Sequence, residues 1–236
     1  MRDAVLASGG RAALVGGAMC LADERTPAVE VNRAVPVGPH VDVAAIASWY
    51  AGHDHVVAAP PGYLGLEESL RAHGYTPGYA WMKFTRNDAP AAPPPTDLRV
   101  AESLDAEAYA LAAAEGFGLP PALARGLASI VGAPGWLCFV AWDGDEPAAS
   151  AAVYAEATEA WFGLGATRPA FRRRGAQTAL LAARIERVRE LGVRRLSTET
   201  GERVPGRPDQ SYRNILRAGF REAYLRPNWR SPRSAG

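Results

Sequence analysis

Residues 87–97 read NDAPAAPPPTD, four prolines in eleven positions. Proline fixes its own φ and has no amide hydrogen, so this stretch can neither continue a helix nor supply a central strand. An extended, semi-rigid connector is expected instead. A chain of 236 residues with such a break is expected to fold as two modules, residues 1–88 and 97–236, joined by a linker over 89–96. The 48% hydrophobic content is enough for a real core.

Hydrophobic patterning on both sides of the break is α/β. Before it, AVEVNRAV reads as a strand, VDVAAIASWYAG as a helix, HVVAAP as a short strand, LEESLRAHGY as a helix ended by Gly74, and YAWMKFTR as a strand. After it, LRVAES is a strand, and AEAYALAAAEG and PALARGLASIV are helices. A strand meander then runs from WLCFVAWD to WFGLGAT, with Asp143-Gly144 at a tight hairpin. A helix over residues 176–191, the strand RRLSTE, a helix over DQSYRNILRAG capped by Asp209, and the strand FREAYLRP follow.

Charge narrows the function classes. A formal net charge of +1 argues against a surface built as a whole to hold nucleic acid, so any basic site is local. Of the 26 basic residues only Lys83 is not arginine, and alanine is abundant, the coding bias expected of a GC-rich bacterial gene. Cys20 and Cys138 belong to no C-x-x-C pair, so neither a disulfide framework nor a zinc site is expected, and the expected setting is reduced and cytoplasmic. Arg11 and several glycines break the N-terminal apolar stretch, so neither a membrane span nor a signal peptide is expected. His53-Asp54-His55 lacks an evident third ligand and reads as a loop rather than a metal site.

The densest local charge is TRPAFRRRGAQTALL, residues 167–181. Pro169 marks a turn after the strand WFGLGAT, and Ala179, Leu180, Ala183, Ile185 and Val188 share one side of the following helix. Arg172, Arg173 and Arg174 therefore sit at a helix N-terminus. Unpaired amides and the helix dipole attract anions there and disfavour each cation by a few tenths to about 1 kcal/mol. Gly175 lets the backbone approach an anion closely. Two readings stand: solvated arginines lying over apolar surface, or a grip on a compact polyanion such as a pyrophosphate. Nucleic acid fits less well, because no further basic cluster with interleaved aromatics accompanies the loop. Neither a G-x-G-x-x-G nor a Walker loop occurs.

The order of elements after the linker, with RRRGAQ at 172–177, resembles the GCN5-related N-acetyltransferase (GNAT) family, whose acyl-CoA motif R/Q-x-x-G-x-G/A opens a helix after a strand. Asp143-Gly144, Pro169 and Ala218-Gly219-Phe220 extend the resemblance over residues 97–228. It implies an α/β, GNAT-like acyl-CoA acyltransferase fold with a mixed central sheet flanked by helices. The first module resembles a smaller, degenerate GNAT-like half, implied to pack beside the second and wall the acceptor cleft, with His53, His55 and Tyr63 within reach of it. Acetyl-CoA is the implied co-substrate. Its pyrophosphate would lie on the amides of Arg172, Arg173, Arg174, Gly175, Ala176 and Gln177, and its pantetheine arm along the strand edge at Ala166 and Thr167, with Asn214 as a further contact. Gln177 departs from the motif, standing where glycine or alanine is usual; its side chain either crowds the cofactor or donates to a phosphate.

The resemblance also implies direct attack of an amine on the thioester, one group taking the amine proton and another protonating the thiolate. The family's usual acid position, four residues before the glycine of the final G-F pair, holds Ile215. Tyr212, three residues earlier, and Tyr224 are the alternatives. Glu199, following RRLST where central strands would splay, is the expected base, with Glu156 and Glu159 as further candidates. The implied function is acetyl transfer to a primary amine of a small molecule, without metal, nucleic-acid or membrane partners, by a monomer or a homodimer. A non-catalytic acyl-CoA sensor or assembly protein is the alternative.

Overall fold

The computed structural model describes residues 2–25, 31–92 and 95–232. Positions 93–94 of the expected linker and 28–30 of the expected strand AVEVNRAV lie outside the described residues. In chain order the elements are α1 (Arg2–Ala7), β1 (Arg11–Val15), β2 (Ala18–Ala22), β3 (Arg33–Pro36), α2 (Val43–Tyr50), β4 (Val56–Ala58), α3 (Leu66–Ala72), β5 (Thr76–Pro77), β6 (Trp81–Asn87) and β7 (Arg99–Glu102). They continue as α4 (Ala106–Phe117), α5 (Pro121–Ala128), β8 (Trp136–Asp143), β9 (Glu146–Glu156), β10 (Glu159–Thr167), α6 (Ala176–Glu190), β11 (Arg195–Gly201), α7 (Gln210–Arg217), β12 (Arg221–Arg226) and β13 (Asn228–Arg230). Packing divides the chain into two compact units. One runs up to Met82 and resumes at Tyr224; the other is Lys83–Ala223.

The first unit holds a six-stranded sheet in the order β1-β2-β3-β4-β13-β5. Its β1–β2 hairpin turns on Gly16 and Gly17, with φ of +54° and +75°, the left-handed region that glycine enters without a Cβ penalty. Asp42 caps α2, its Oδ1 accepting from the Ala45 amide at 3.0 Å and satisfying one amide that the helix leaves open. Val43, Ile46 and Tyr50 then face the core at helical spacing, beside Leu70 and Trp229.

The second unit carries a mixed seven-stranded sheet in the order β12-β6-β11-β10-β9-β8-β7, as expected for an α/β acyltransferase fold. β7 through β10 pair antiparallel, while β10 and β11 pair parallel. The β8–β9 hairpin pairs Asp143 with Glu146, and Gly144 takes φ +58° in the two-residue turn. Residues 148–153 of β9 are all buried, so β9 is covered on both faces and is built largely of alanine where a half-exposed strand would alternate.

Helix α4 starts at Asp105, whose Oδ1 accepts from the Ala108 amide at 2.9 Å, and ends at Gly118 with φ +66°. Within it, a Cβ at Gly116 would stand 2.7 Å from the Ala166 Cβ and 2.8 Å from the Thr167 amide nitrogen. Only glycine lets α4 press this closely on the end of β10. Helix α6 buries Ala179, Leu180, Ile185 and Val188 as its periodicity predicts, but Ala183 is half-buried and Arg184 is buried. Asp209 sits at the N-cap of α7 without the expected bond to a helix amide; its carboxylate engages Arg213 at 3.0 Å and Arg203 at 3.4 Å. Among the described residues no helix is long and apolar enough to cross a membrane.

Candidate functional site

The central feature is a parting of two parallel strands. β10 and β11 pair from Glu159↔Arg195 to Phe162↔Thr198, where Thr198 Oγ1 donates to the Phe162 carbonyl at 2.8 Å. Beyond that rung each strand runs on without the other. On its other side β10 shifts register against β9 between Gly163 and Ala166, and Leu164 takes φ +53°, a β-bulge that re-aims the backbone. Ala166 and Thr167 lie past the bulge, pairing with Ser150 and Ala149 of β9. The edge that β11 would have covered is left to other partners.

β10 leads through a 3₁₀ turn at Pro169–Phe171 into the arginine loop and α6. Arg173 and Gly175 have φ of +68° and +80°, so the loop folds back on itself before the helix opens. The first intrahelical bond recorded at this end is Ala179 N–H to the Gly175 carbonyl, 3.0 Å. The amides of Ala176, Gln177 and Thr178 thus have no acceptor in the helix and project from the positive end of its dipole. Such a helix start can cradle an anion, and the loop before it is pinned in place. Thr96 Oγ1 donates to the Arg174 carbonyl at 2.8 Å, and a Cβ on Gly175 would stand 3.0 Å from the Pro95 carbonyl oxygen.

The three arginines have different tasks. The Arg174 guanidinium bridges Asp143 at 2.6 Å and Asp97 at 2.5 Å, tying the loop to the β8–β9 hairpin and to the start of β7. Its charge is answered within the fold. Arg172 reaches weakly toward the Thr167 and Gly116 carbonyls, each at 3.4 Å. Arg173 is exposed and makes no side-chain ion pair or hydrogen bond among the described residues. Two of three cations therefore remain at the cradle.

The Arg174 bridge predicts a pH dependence. Its hydrogen bonds hold the Asp97 and Asp143 carboxyls below their ordinary value of 3.8. Groups with lowered folded-state values stabilise the fold at neutral pH and lose that contribution as pH falls through those values. Arg174→Ala is expected to lower the melting temperature at pH 7 and to flatten the acid limb of stability below about pH 4. Thermal melts across that range check it; an unchanged acid limb would count against the bridge.

Gln177 turns inward. Its Nε2 donates to Thr167 Oγ1 at 2.9 Å, and a Cβ on Gly165 would stand 2.6 Å from its Oε1. The long side chain that replaces the motif's small residue is accommodated by a glycine on the facing strand. It ties the end of β10 to the start of α6.

The proton-transfer candidates separate. Glu199 lies on β11 one residue past the last rung, its side chain 5% exposed and paired with Lys83 Nζ at 2.5 Å. Lys83 is the chain's only lysine, a singularity that sequence reading left without a role. Tyr212 lies buried on α7. Its ring packs edge-on against Phe84 at 4.9 Å, under the Arg203 guanidinium at 4.2 Å, and its hydroxyl donates to Glu222 at 2.6 Å. Burial, then that bond to Glu222, pushes its pKa up to about 12. β12 stands three places from β10 in the sheet order, so the structure does not bring this hydroxyl to the parting. Asn214 is buried on the same helix, accepting from Gln210 Nε2 at 3.0 Å. Ile215 is buried beside it. Glu159 pairs with Arg195 at the opposite end of the β10–β11 ladder, with Glu156 across from it on β9.

In the first unit, His55 is a core residue. It stacks on Tyr50 at 3.8 Å, donates from Nδ1 to the His53 carbonyl at 2.8 Å, and accepts at Nε2 from the Tyr75 hydroxyl at 2.6 Å. Burial lowers its pKa. His53 faces Glu24 at 3.2 Å, and Tyr63 packs on the apolar core. These two histidines do not converge on one point.

Comparison with known proteins agrees with the fold. The family described as "Acetyltransferase (GNAT) domain" matches residues 95–213, just over half of the 236. A GCN5-related N-acetyltransferase from Sphaerobacter thermophilus is similar with a TM-score of 0.64 at 19% identity, over 85% of this chain and 73% of that one. One from Kribbella flavida gives 0.62 at 18% identity, over 98% and 93%. A tandem GNAT protein from the clavulanic acid biosynthesis pathway gives 0.55 at 18% identity, over 79% and 66%. No curated protein matches significantly in sequence. A match over half its length, on a mixed sheet whose two parallel strands part after Phe162, places this chain in the GNAT acetyltransferase family, as an acyltransferase.

Proposed function

We propose that the chain transfers the acetyl group of acetyl-CoA to a primary amine of a small molecule. The observation that carries this reading is the preformed anion cradle at the start of α6, opening beside the uncovered end of β10. The amides of Gly175, Ala176 and Gln177, with Arg172 and Arg173, hold the pyrophosphate; the Ala166–Thr167 edge receives the pantetheine arm by strand-like hydrogen bonds. Acetyl-CoA supplies an activated thioester. The chain's own part is to align it and take a proton. Glu199 takes the proton from the attacking amine as the N–C bond forms and the C–S bond breaks. The departing thiolate takes its proton from water, which suits an aliphatic Ile215 at the family's usual acid position.

We read the first unit as a degenerate GNAT-like half; the Kribbella structure is similar in fold over 98% of this chain, the first unit included. Burial pushes the thiols of Cys20 and Cys138 up to about 11 and about 12, in keeping with unreactive structural cysteines.

Thermal shift with acetyl-CoA, free CoA and longer acyl-CoAs tests the binding claim, and thiol release against a panel of amines tests transfer. No stabilisation by any of these ligands would sink the cofactor assignment. Binding without thiol release would favour a sensor, a second reading supported by the Tyr212 hydroxyl being engaged with Glu222.

Tyr212→Phe separates the proton paths. The variant is expected to lose about 1.5 kcal/mol of stability, because a hydrogen bond to a carboxylate is removed, with kcat falling less than about twofold. A tenfold loss of kcat at unchanged stability would return the phenol to the reaction.

A further inference from the structure

Arg184 lies on α6, eight residues after its first, and only 3% of it is exposed. No carboxylate pairs with it among the described residues. Its donors go to backbone carbonyls: Nε to Leu180 at 3.0 Å, and Nη1 to Ala152 at 2.8 Å and Gly163 at 3.2 Å. Its guanidinium carbon stands 5.2 Å from the centre of the Phe162 ring. A buried cation without a countercharge is unfavourable, and burial pulls its pKa down to about 10. A methionine would fill much of this space without that penalty. What the guanidinium adds is donors aimed at two particular carbonyls.

Those carbonyls mark one place. Ala152↔Gly163 is the last regular β9–β10 pair before the bulge, and Phe162 is the last residue of β10 that pairs with β11. Arg184 thus clamps the root of the bulge, where both neighbours of β10 change. The Gly163–Leu164 peptide is trans, so its N–H points away from the carbonyl that Arg184 holds. A donor on that carbonyl also strengthens the N–H of the same peptide as a donor.

Resting on the acetyl-CoA reading above, we infer that Arg184 is a positioning residue: it fixes the bulge so that the Leu164 N–H meets the acyl carbonyl of bound acetyl-CoA. The same helix carries the pyrophosphate cradle at its start. One rigid element therefore sets the spacing between the anchored end of the ligand and the reacting end. An arm laid along Thr167 and Ala166 reaches Leu164 next.

Isotope-edited infrared spectroscopy of the full chain with acetyl-CoA labelled with ¹³C at the acetyl carbonyl tests this without an acceptor. In the wild type the labelled band is expected to move to lower wavenumber than in free acetyl-CoA. In Arg184→Met the shift is expected to be lost while affinity for free CoA, which lacks the acetyl group, is retained. Arg184→Lys, which keeps the charge and is the safer variant to fold, is expected to show a reduced shift. A wild-type band at the free position despite binding, or a full shift in either variant, overturns the inference. Failure of the wild type to bind acetyl-CoA or CoA at all overturns the parent reading instead.

Discussion

Gly175→Asp is expected to abolish acetyl-CoA binding, raising Kd more than about 100-fold, since losing two charge-assisted bonds to a pyrophosphate removes about 3 kcal/mol or more. Two effects act together. The new carboxylate sits at the positive end of α6, the place where the ligand's phosphates would lie. The side chain must also adopt φ +80° with its Cβ 3.0 Å from the Pro95 carbonyl oxygen, which strains the loop. Gly175→Asn separates the two, because asparagine tolerates this conformation and carries no charge. It is expected to bind measurably, between wild type and Gly175→Asp. Calorimetric titration of each variant checks the order; wild-type affinity in Gly175→Asp refutes the cradle.

The pair Glu199 and Lys83 gives the second large effect. Glu199→Gln is expected to lower kcat about 100-fold if the carboxylate takes the amine proton. It also removes one charge of an ion pair in a largely buried place, at about 3 kcal/mol of stability. Lys83→Met leaves the carboxylate in position and is expected to cost similar stability with a smaller loss of kcat. The double variant is expected to be more stable than the sum of the singles, because both substitutions remove the same ion pair. Thiol-release kinetics beside urea titrations check all three. Equal losses of kcat in the two single variants would make the pair structural only.

Much of the second unit was readable in sequence because its signals are local. Asp105 before an alanine-rich run, Asp143-Gly144 between two apolar stretches, and an arginine–glycine loop before a periodic helix each act within a few residues. The partners of Arg174 were not readable. Asp97 and Asp143 are 77 and 31 positions away in sequence, and nothing local in RRRGAQ says which arginine is answered inside the fold. Arg184 looked like a member of the polar face of α6, since periodicity cannot show that a helix is covered on more than one side. For Tyr212, spacing along α7 suggested reach toward the ligand. The contact with Phe84 and the bond to Glu222 hold its hydroxyl toward β12 instead. β1, β2, β5 and β13 are short, and of these only the β1–β2 hairpin carries a local signal, at Gly16-Gly17.

Gln177 and Gly165 form an epistatic pair. A methyl group at position 165 would displace the glutamine head from Thr167, whereas the same methyl beside a shortened residue 177 would meet only Ala151 Cβ, at an ordinary 4.0 Å. The order of substitution therefore matters. A side chain at 165 is expected to be gained cheaply only after the amide at 177 is given up, so the two positions are expected to change together although they stand twelve positions apart along the chain.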